Sequence, residues 1–511
     1  MSYSILSRFT ASLAGNLMRS VVSFVSGVLL ARWLGTDEYG RLVFLLASFT
    51  ALRGLLDMGS SAAFFTFLSR CPRSRRFVVF YWIWVGMQLI VAVGAVGWLL
   101  PDSLVDNLWQ GESSDVLMLA LCAAFMQNTA WNAAAQMAEA SRETVRLQKL
   151  NFVIVGVHLV VLIVARSIDQ LSLPLIFSAS VMEYAVASWF AARLYHPAET
   201  VGEKGREGTD TIPGVGREFL EYCLPIFPYT LLGFAYEFVD RWMLQHWGGS
   251  SEQAYYGVAQ QFSAVALLAT ASILRVLWKE VAEASYRGDR ERVASLYTQV
   301  SRQLYLVSAV FAGGLLPWSS EIVRLTVGSA YEGGATTVML MFVYPVHQSM
   351  GQITATLFYA TGQIRLQVRL GLFFMSISMI ISYFMMAPSG EIIPGFGLGS
   401  RGLAWKMVLL QIVAVNASAW FIARRLGIRW DWLYQVVGMA GCLGMGWLAY
   451  WCAGILLEDA PWVLLKMAGA GCLYLIFVFG LIYGAPWLAC ATRDQIHRLA
   501  KRACRIGFAG A

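Results

Sequence analysis

Three arginines stand where arginine is costly. Arg19, Arg53 and Arg275 fall within apolar runs, and a guanidinium near the middle of a membrane span costs on the order of 2.5–3.5 kcal/mol unless it finds a partner or water. Asn16 and Arg19, three apart, share a helix face with Ser12 and Ser23 close to it. No acid lies at helical spacing from Arg19 in its own run, so its charge must face another helix, water or an anionic ligand. Arg53 has Asp57 four residues on, which admits either an intrahelical ion pair or a cation left for something else. The second half offers a partial mirror: Glu237, Asp240 and Arg241 in one run, then Gln260, Gln261 and Arg275 in the next. Glu237 and Arg241 are again four apart, and Arg275 is close enough to its boundary to snorkel. Glu183 is an isolated carboxylate, and His158, His347, Lys406 and Lys466 are single ionisable groups in their runs. Gln127, Asn128 and Asn132, with Gln348 and Gln352, put amides at corresponding places in the two halves.

The elements that position these groups are membrane helices. With 58% hydrophobic and 14% charged residues, the chain departs far from a soluble domain, whose charged fraction is near a quarter. Apolar runs of about 20 residues predict some fourteen spans, the first at 9–31 and the last at 462–489. Lys and Arg in alternate connections divide 27 to 4, placing both termini in the cytoplasm and explaining the basic pI by topology rather than nucleic-acid binding. The first span is too long for a signal sequence. The cysteines have no metal-ligand spacing, and no catalytic motif occurs, so the chain reads as a non-enzyme without metal or cofactor.

The stretch Tyr195–Glu218 is polar and rich in Gly, Pro and charge, and it reads as a cytoplasmic linker. Around it the chain parses into an N-lobe of six spans (1–194), the linker (195–218), a C-lobe of six spans (219–425), and two further spans with a cytoplasmic tail (426–511). A repeat supports this division. ARWLGTDEYG at 31–40 and DRWMLQHWGGSSEQAYYG at 240–257 share Arg-Trp at a separation of 209 and Tyr-Gly at 217. Repeated halves with a site between them are common in secondary transporters. Asp37 and Glu38 lie at the expected N-terminus of span two, where carboxylates favour the helix dipole. External connections are short, and the longest, Pro101–Asp115, carries no Lys or Arg. That weighs against a membrane polymerase or ligase.

The stretch Gly27–Ala63, VDRWML in span seven, the later YYGVAQQF and the fourteen-span outline together resemble bacterial polysaccharide flippases of the O-antigen type. Their superfamily includes the lipid II flippase and the multidrug and toxin extrusion transporters. The resemblance implies an inner-membrane protein that moves an undecaprenyl-pyrophosphate-linked oligosaccharide to the periplasmic face by alternating access, in a pathway shared with glycosyltransferases and a polymerase. It also implies cavity cations from the first, second and eighth spans, which are Arg19, Arg53 and Arg275 here, with Asn16 beside them. Forked guanidinium donors suit pyrophosphate oxygens. The chain departs from a purely cationic cavity in Asp57, Glu183, Glu237 and Asp240, acids suited to coupling with H+ or Na+. An ion-coupled drug exporter of the same superfamily is the alternative, disfavoured by the two additional spans.

Overall fold

The computed structural model describes residues 5–70, 73–195, 212–428, 430–458, 462–495 and 497. Most of the expected linker and the C-terminal tail lie outside them. Every regular element among the described residues is helical, and ten helices are long and apolar enough to cross a membrane. The protein is an all-α integral membrane protein.

The order begins with α1 (Ile5–Asp57), α2 (Ser60–Arg70), α3 (Arg75–Gly94), α4 (Asp102–Trp109), α5 (Ser114–Phe125), α6 (Trp131–Ala140), α7 (Thr144–Ser167), α8 (Leu173–Ala192) and α9 (Ile212–Cys223). It continues with α10 (Phe227–Met243), α11 (Gly249–Tyr286), α12 (Arg290–Leu315), α13 (Ser319–Thr326), α14 (Ala335–Ala360), α15 (Ile364–Met386), α16 (Gly399–Leu426), α17 (Leu433–Leu456) and α18 (Val463–Gly484). Spans one and two are continuous as α1. Its 53 residues would reach about 80 Å if straight, and it is broken at Gly35 (φ 75°, ψ −177°). Helices occupy the places of spans seven, eight and ten without meeting the same measure. α10 is only 17 residues long, cut from α9 around Pro225, while the apolar runs of the continuous helices α11 and α14 are broken by Gln260 and Gln261, and by His347, Gln348 and Gln352.

The break at Gly35 occurs twice. Gly249, after a π-helical turn at Leu244–Gly248, has φ 76° and ψ −176°, the same backbone as Gly35, and aligning the sequence on these two glycines sets the repeat at a separation of 214. Arg32-Trp33-Leu34-Gly35-Thr36-Asp37-Glu38 then matches His246-Trp247-Gly248-Gly249-Ser250-Ser251-Glu252. The identical letters at 209 and 217 are therefore not equivalent positions. Asp37 and Glu38 do lie in the first turn after the break, and Glu38 accepts a hydrogen bond from Arg41 at 2.5 Å. Positive φ with extended ψ is glycine territory. Gly35→Ala and Gly249→Ala should each cost about 1–3 kcal/mol, read from thermal unfolding in detergent. Gly86→Ala, where an added methyl meets no atom within 4 Å, should cost nothing.

Beyond the breaks the two copies cross closely. A Cβ on Gly40 would lie 1.8 Å from the Ser250 carbonyl oxygen, and one on Gly257 would lie 2.9 Å from Val43. Val43 and Gly257 are themselves separated by the repeat distance, so the crossing maps onto itself.

The chain forms two compact units, Met1–Gly257 with Met375–Gly399, and Val258–Phe374 with Ser400–Ala511. In the first, α1 runs along α7 and α10, and an aromatic core of Phe64, Phe67, Phe77, Tyr81 and Phe219 fastens α9 to α2 and α3. Arg73 is buried beside it, its guanidinium 5.0 Å from the Phe77 ring centre. Arg73 Nη2 donates to Glu218 Oε1 at 2.6 Å, and its carbonyl accepts from the Tyr195 hydroxyl at 3.1 Å. In the second unit α12 packs on α14 and α17, and α17 on α18, around Tyr305, Val346, Met350 and Tyr434.

Candidate functional site

The first unit holds most of the charged groups singled out above. Arg53 projects from the part of α1 that follows the Gly35 break. The residue expected to neutralise it is otherwise engaged: Asp57 ends α1 and caps α2. Its Oδ1 accepts from the Ser61 amide at 2.9 Å and the Ser60 hydroxyl at 3.0 Å, and its Oδ2 accepts from the Ser61 hydroxyl at 2.8 Å. Two residues with positive φ, Met58 and Gly59, make the intervening turn. Arg53 is half-buried, with Nε shielded from solvent and without an acceptor. Among the described residues no ion pair holds it. Its charge acts on Tyr81 of α3 and on Glu237 of α10.

Glu237, Asp240 and Arg241 follow one another along α10 and meet different surroundings. No ion pair joins Glu237 to Arg241 among the described residues; Glu237 lies in the field of Arg241, Arg53 and Asp240 together. Asp240 is buried and accepts from the Ser382 hydroxyl of α15 at 2.5 Å. Arg241 donates from Nη1 to Gln253 Oε1 at 3.3 Å, and Gln253 Nε2 donates back to the Arg241 carbonyl at 2.5 Å. The guanidinium lies 4.7 Å from the Tyr256 ring centre. These bonds tie the turn before Gly249 to the helix after it.

Arg19 is exposed on α1 and acts on Tyr184 of α8, whose hydroxyl accepts from Gln127 Nε2 at 3.4 Å. Glu183, the neighbour of Tyr184, is not the isolated carboxylate that its span suggested. His158 Nδ1 on α7 lies 2.8 Å from Glu183 Oε2, and the two side chains are 22% and 8% exposed. Single-span reading misses the pair because the partners are on separate helices. Since the carboxylate is the deeper of the two, deleting its partner is the costlier change. His158→Leu should cost about 2–3 kcal/mol and Glu183→Gln under about 1 kcal/mol, measured as unfolding midpoints of the purified variants.

The side chains of Asn16 and Arg275 are outside the described residues, although both positions lie in helices. The structure thus brings Arg53 of α1 into the field of Glu237 of α10, turns Asp57 to α2, Asp240 to α15 and Arg241 to α11, and places Arg19 with Tyr184 and Gln127. Among the described residues no group of three or more His, Cys, Asp or Glu could hold a metal ion. A guanidinium with unused donors beside a carboxylate suits recognition of a phosphate that carries its own counter-charge or releases a proton.

The chain is similar in structure to the lipid II flippase MurJ in an inward closed conformation, with a TM-score of 0.64 at 14% identity over 94% of this chain and 99% of that one. It is also similar to an inward-facing multidrug resistance MATE family transporter of the MOP superfamily (TM-score 0.60, 15% identity, 82% of this chain and 98% of that one). A MOP superfamily transporter from Pyrococcus furiosus matches with a TM-score of 0.55 at 15% identity, over 82% of this chain and 95% of that one. At these identities the likeness establishes the fold. Among curated proteins none matches in sequence. A model of the family described as polysaccharide biosynthesis protein matches residues 5–278, more than half of the chain and all of α1 to α10, so the chain belongs to the polysaccharide biosynthesis protein family.

Proposed function

We propose that this protein is a flippase that carries an undecaprenyl-pyrophosphate-linked oligosaccharide from the cytoplasmic to the periplasmic face of the bacterial inner membrane by alternating access. The observation that carries the reading is Arg53: a cation in a membrane helix of a polysaccharide biosynthesis protein that no ion pair holds among the described residues, the carboxylate four residues on being engaged as a cap. A pyrophosphate offers the acceptors that its donors lack. Arg19, Asn16 and Arg275 complete the proposed phosphate-binding set. Glu237, Asp240, Glu183 and Asp57 are the candidates for coupling to H+ or Na+, with Glu237 foremost because among the described residues no ion pair engages it. The excess of Lys and Arg in alternate connections supports cytoplasmic termini. Glycosyltransferases and a polymerase would supply and consume the cargo.

Drug export on the same fold is the competing reading. The match to the lipid II flippase covers 94% of the chain where the multidrug transporter covers 82%, which favours the lipid-linked cargo. Complementation separates the two. Expressed in a strain lacking its polysaccharide flippase, the protein should restore surface glycan and clear the lipid-linked sugar that accumulates facing the cytoplasm. Restored drug resistance without glycan would overturn the assignment.

A further inference from the structure

The second unit contains a cavity of about 540 Å³ framed by Trp318, Tyr450 and Trp451 and edged by Glu321, Arg324 and Lys466. It sits where α13 follows α12, where α17 ends and where α18 begins. Its back wall is rigid: Trp318 is buried, its ring 4.7 Å from that of Tyr450, which lies 5.7 Å from Trp447. Its open side is apolar. Trp451 is 64% and Ile455 76% exposed on α17, a helix that qualifies as a membrane span.

The charges at this edge are not spent on one another. Glu321 precedes Arg324 by three residues on α13, yet no ion pair joins them among the described residues. Lys466 donates from Nζ to the Glu458 carbonyl at 3.0 Å, which leaves two further donors on the ammonium. Among the residues that line the cavity two cations stand against one carboxylate, while its mouth is apolar. A soluble sugar would leave the apolar mouth unused, and a plain hydrocarbon would leave both cations unmet. An amphiphile with an anionic head satisfies both.

We propose that this cavity binds the phosphate of a lipid, with Arg324 and Lys466 donating to its oxygens and its chain lying along Trp451 and Ile455. A glycerophospholipid and a polyprenyl phosphate present the same chemistry. With the termini cytoplasmic, as proposed above, the site lies at the outer end of the helices; the binding itself requires neither that orientation nor transport.

The test uses the purified full chain in micelles holding phosphatidylglycerol, undecaprenyl monophosphate and diacylglycerol at equal mole fraction, with retained lipid counted by native mass spectrometry. The wild type should keep a phosphate lipid, and which of the two it keeps identifies the source. Combining R324Q with K466Q should lower retention at least tenfold, the scale of one lost charge-assisted contact. Arg324→Lys should stay within about threefold of wild type, and Arg369→Gln, an exposed cation elsewhere in the unit, should change nothing. Equal retention by wild type and the combined variant would overturn the proposal. So would retention of diacylglycerol as strongly as the phosphate lipids.

Discussion

Arg53→Ala is expected to reduce transport by about a hundredfold or more while leaving the protein folded. Two hydrogen bonds from a guanidinium to an anionic oxygen contribute about 1.5–3 kcal/mol each, and each 1.4 kcal/mol is tenfold in an equilibrium constant. Removing both from a phosphate site therefore weakens cargo binding by about two to four orders of magnitude. Arg53→Lys retains the charge but loses the fork, and should fall between. Stability should respond in the opposite sense. Nε of Arg53 is shielded and without an acceptor, so deleting the side chain removes an unsatisfied group rather than a bond. The checks are the initial rate of translocation of lipid-linked glycan in proteoliposomes and the unfolding midpoint of the same preparation. Wild-type transport by Arg53→Ala would remove the phosphate role. A collapse of the midpoint would make Arg53 structural.

The second large effect is structural. Gly40→Ala should destabilise the protein by about 3 kcal/mol or more and sharply lower its yield in the membrane. The added methyl would stand 1.8 Å from the Ser250 carbonyl oxygen, a backbone atom that cannot rotate away. The helices would have to part, which also stretches the 3.3 Å contact from Ser251 Oγ to Thr36 Oγ1. Overpacking of this kind typically costs 1–3 kcal/mol when side chains can adjust, and more when they cannot. Gly257→Ala is the internal comparison: its methyl meets the Val43 side chain at 2.9 Å, which can shift, so a cost of about 1 kcal/mol is expected. Equal midpoints for Gly40→Ala and wild type would show that the helices do not cross there.

Hydropathy made the helices legible, because twenty apolar residues in a row have few other uses. The repeat was visible too, but its register was not. Arg-Trp and Tyr-Gly are identical letters at 209 and 217, whereas the backbone repeats through Gly35 and Gly249 at 214. The site was legible in its residues and illegible in its pairings. A spacing of four left open whether Asp57 neutralises Arg53, and what decides it is the Ser60-Ser61 pair that follows, which draws the carboxylate into a cap. Glu183 looked solitary because His158 lies on another helix, and spacing along one helix carries no information about its neighbours.

Arg73 meets the chain on both sides of residues 196–211, through Tyr195 before them and Glu218 after them. Arg73 therefore holds the residue three positions beyond α8 and a residue of α9 to the same point, by contacts separate from the covalent path between them. One buried residue thus acts as a joint between two stretches of chain that the sequence sets 23 positions apart, its backbone holding one and its side chain the other.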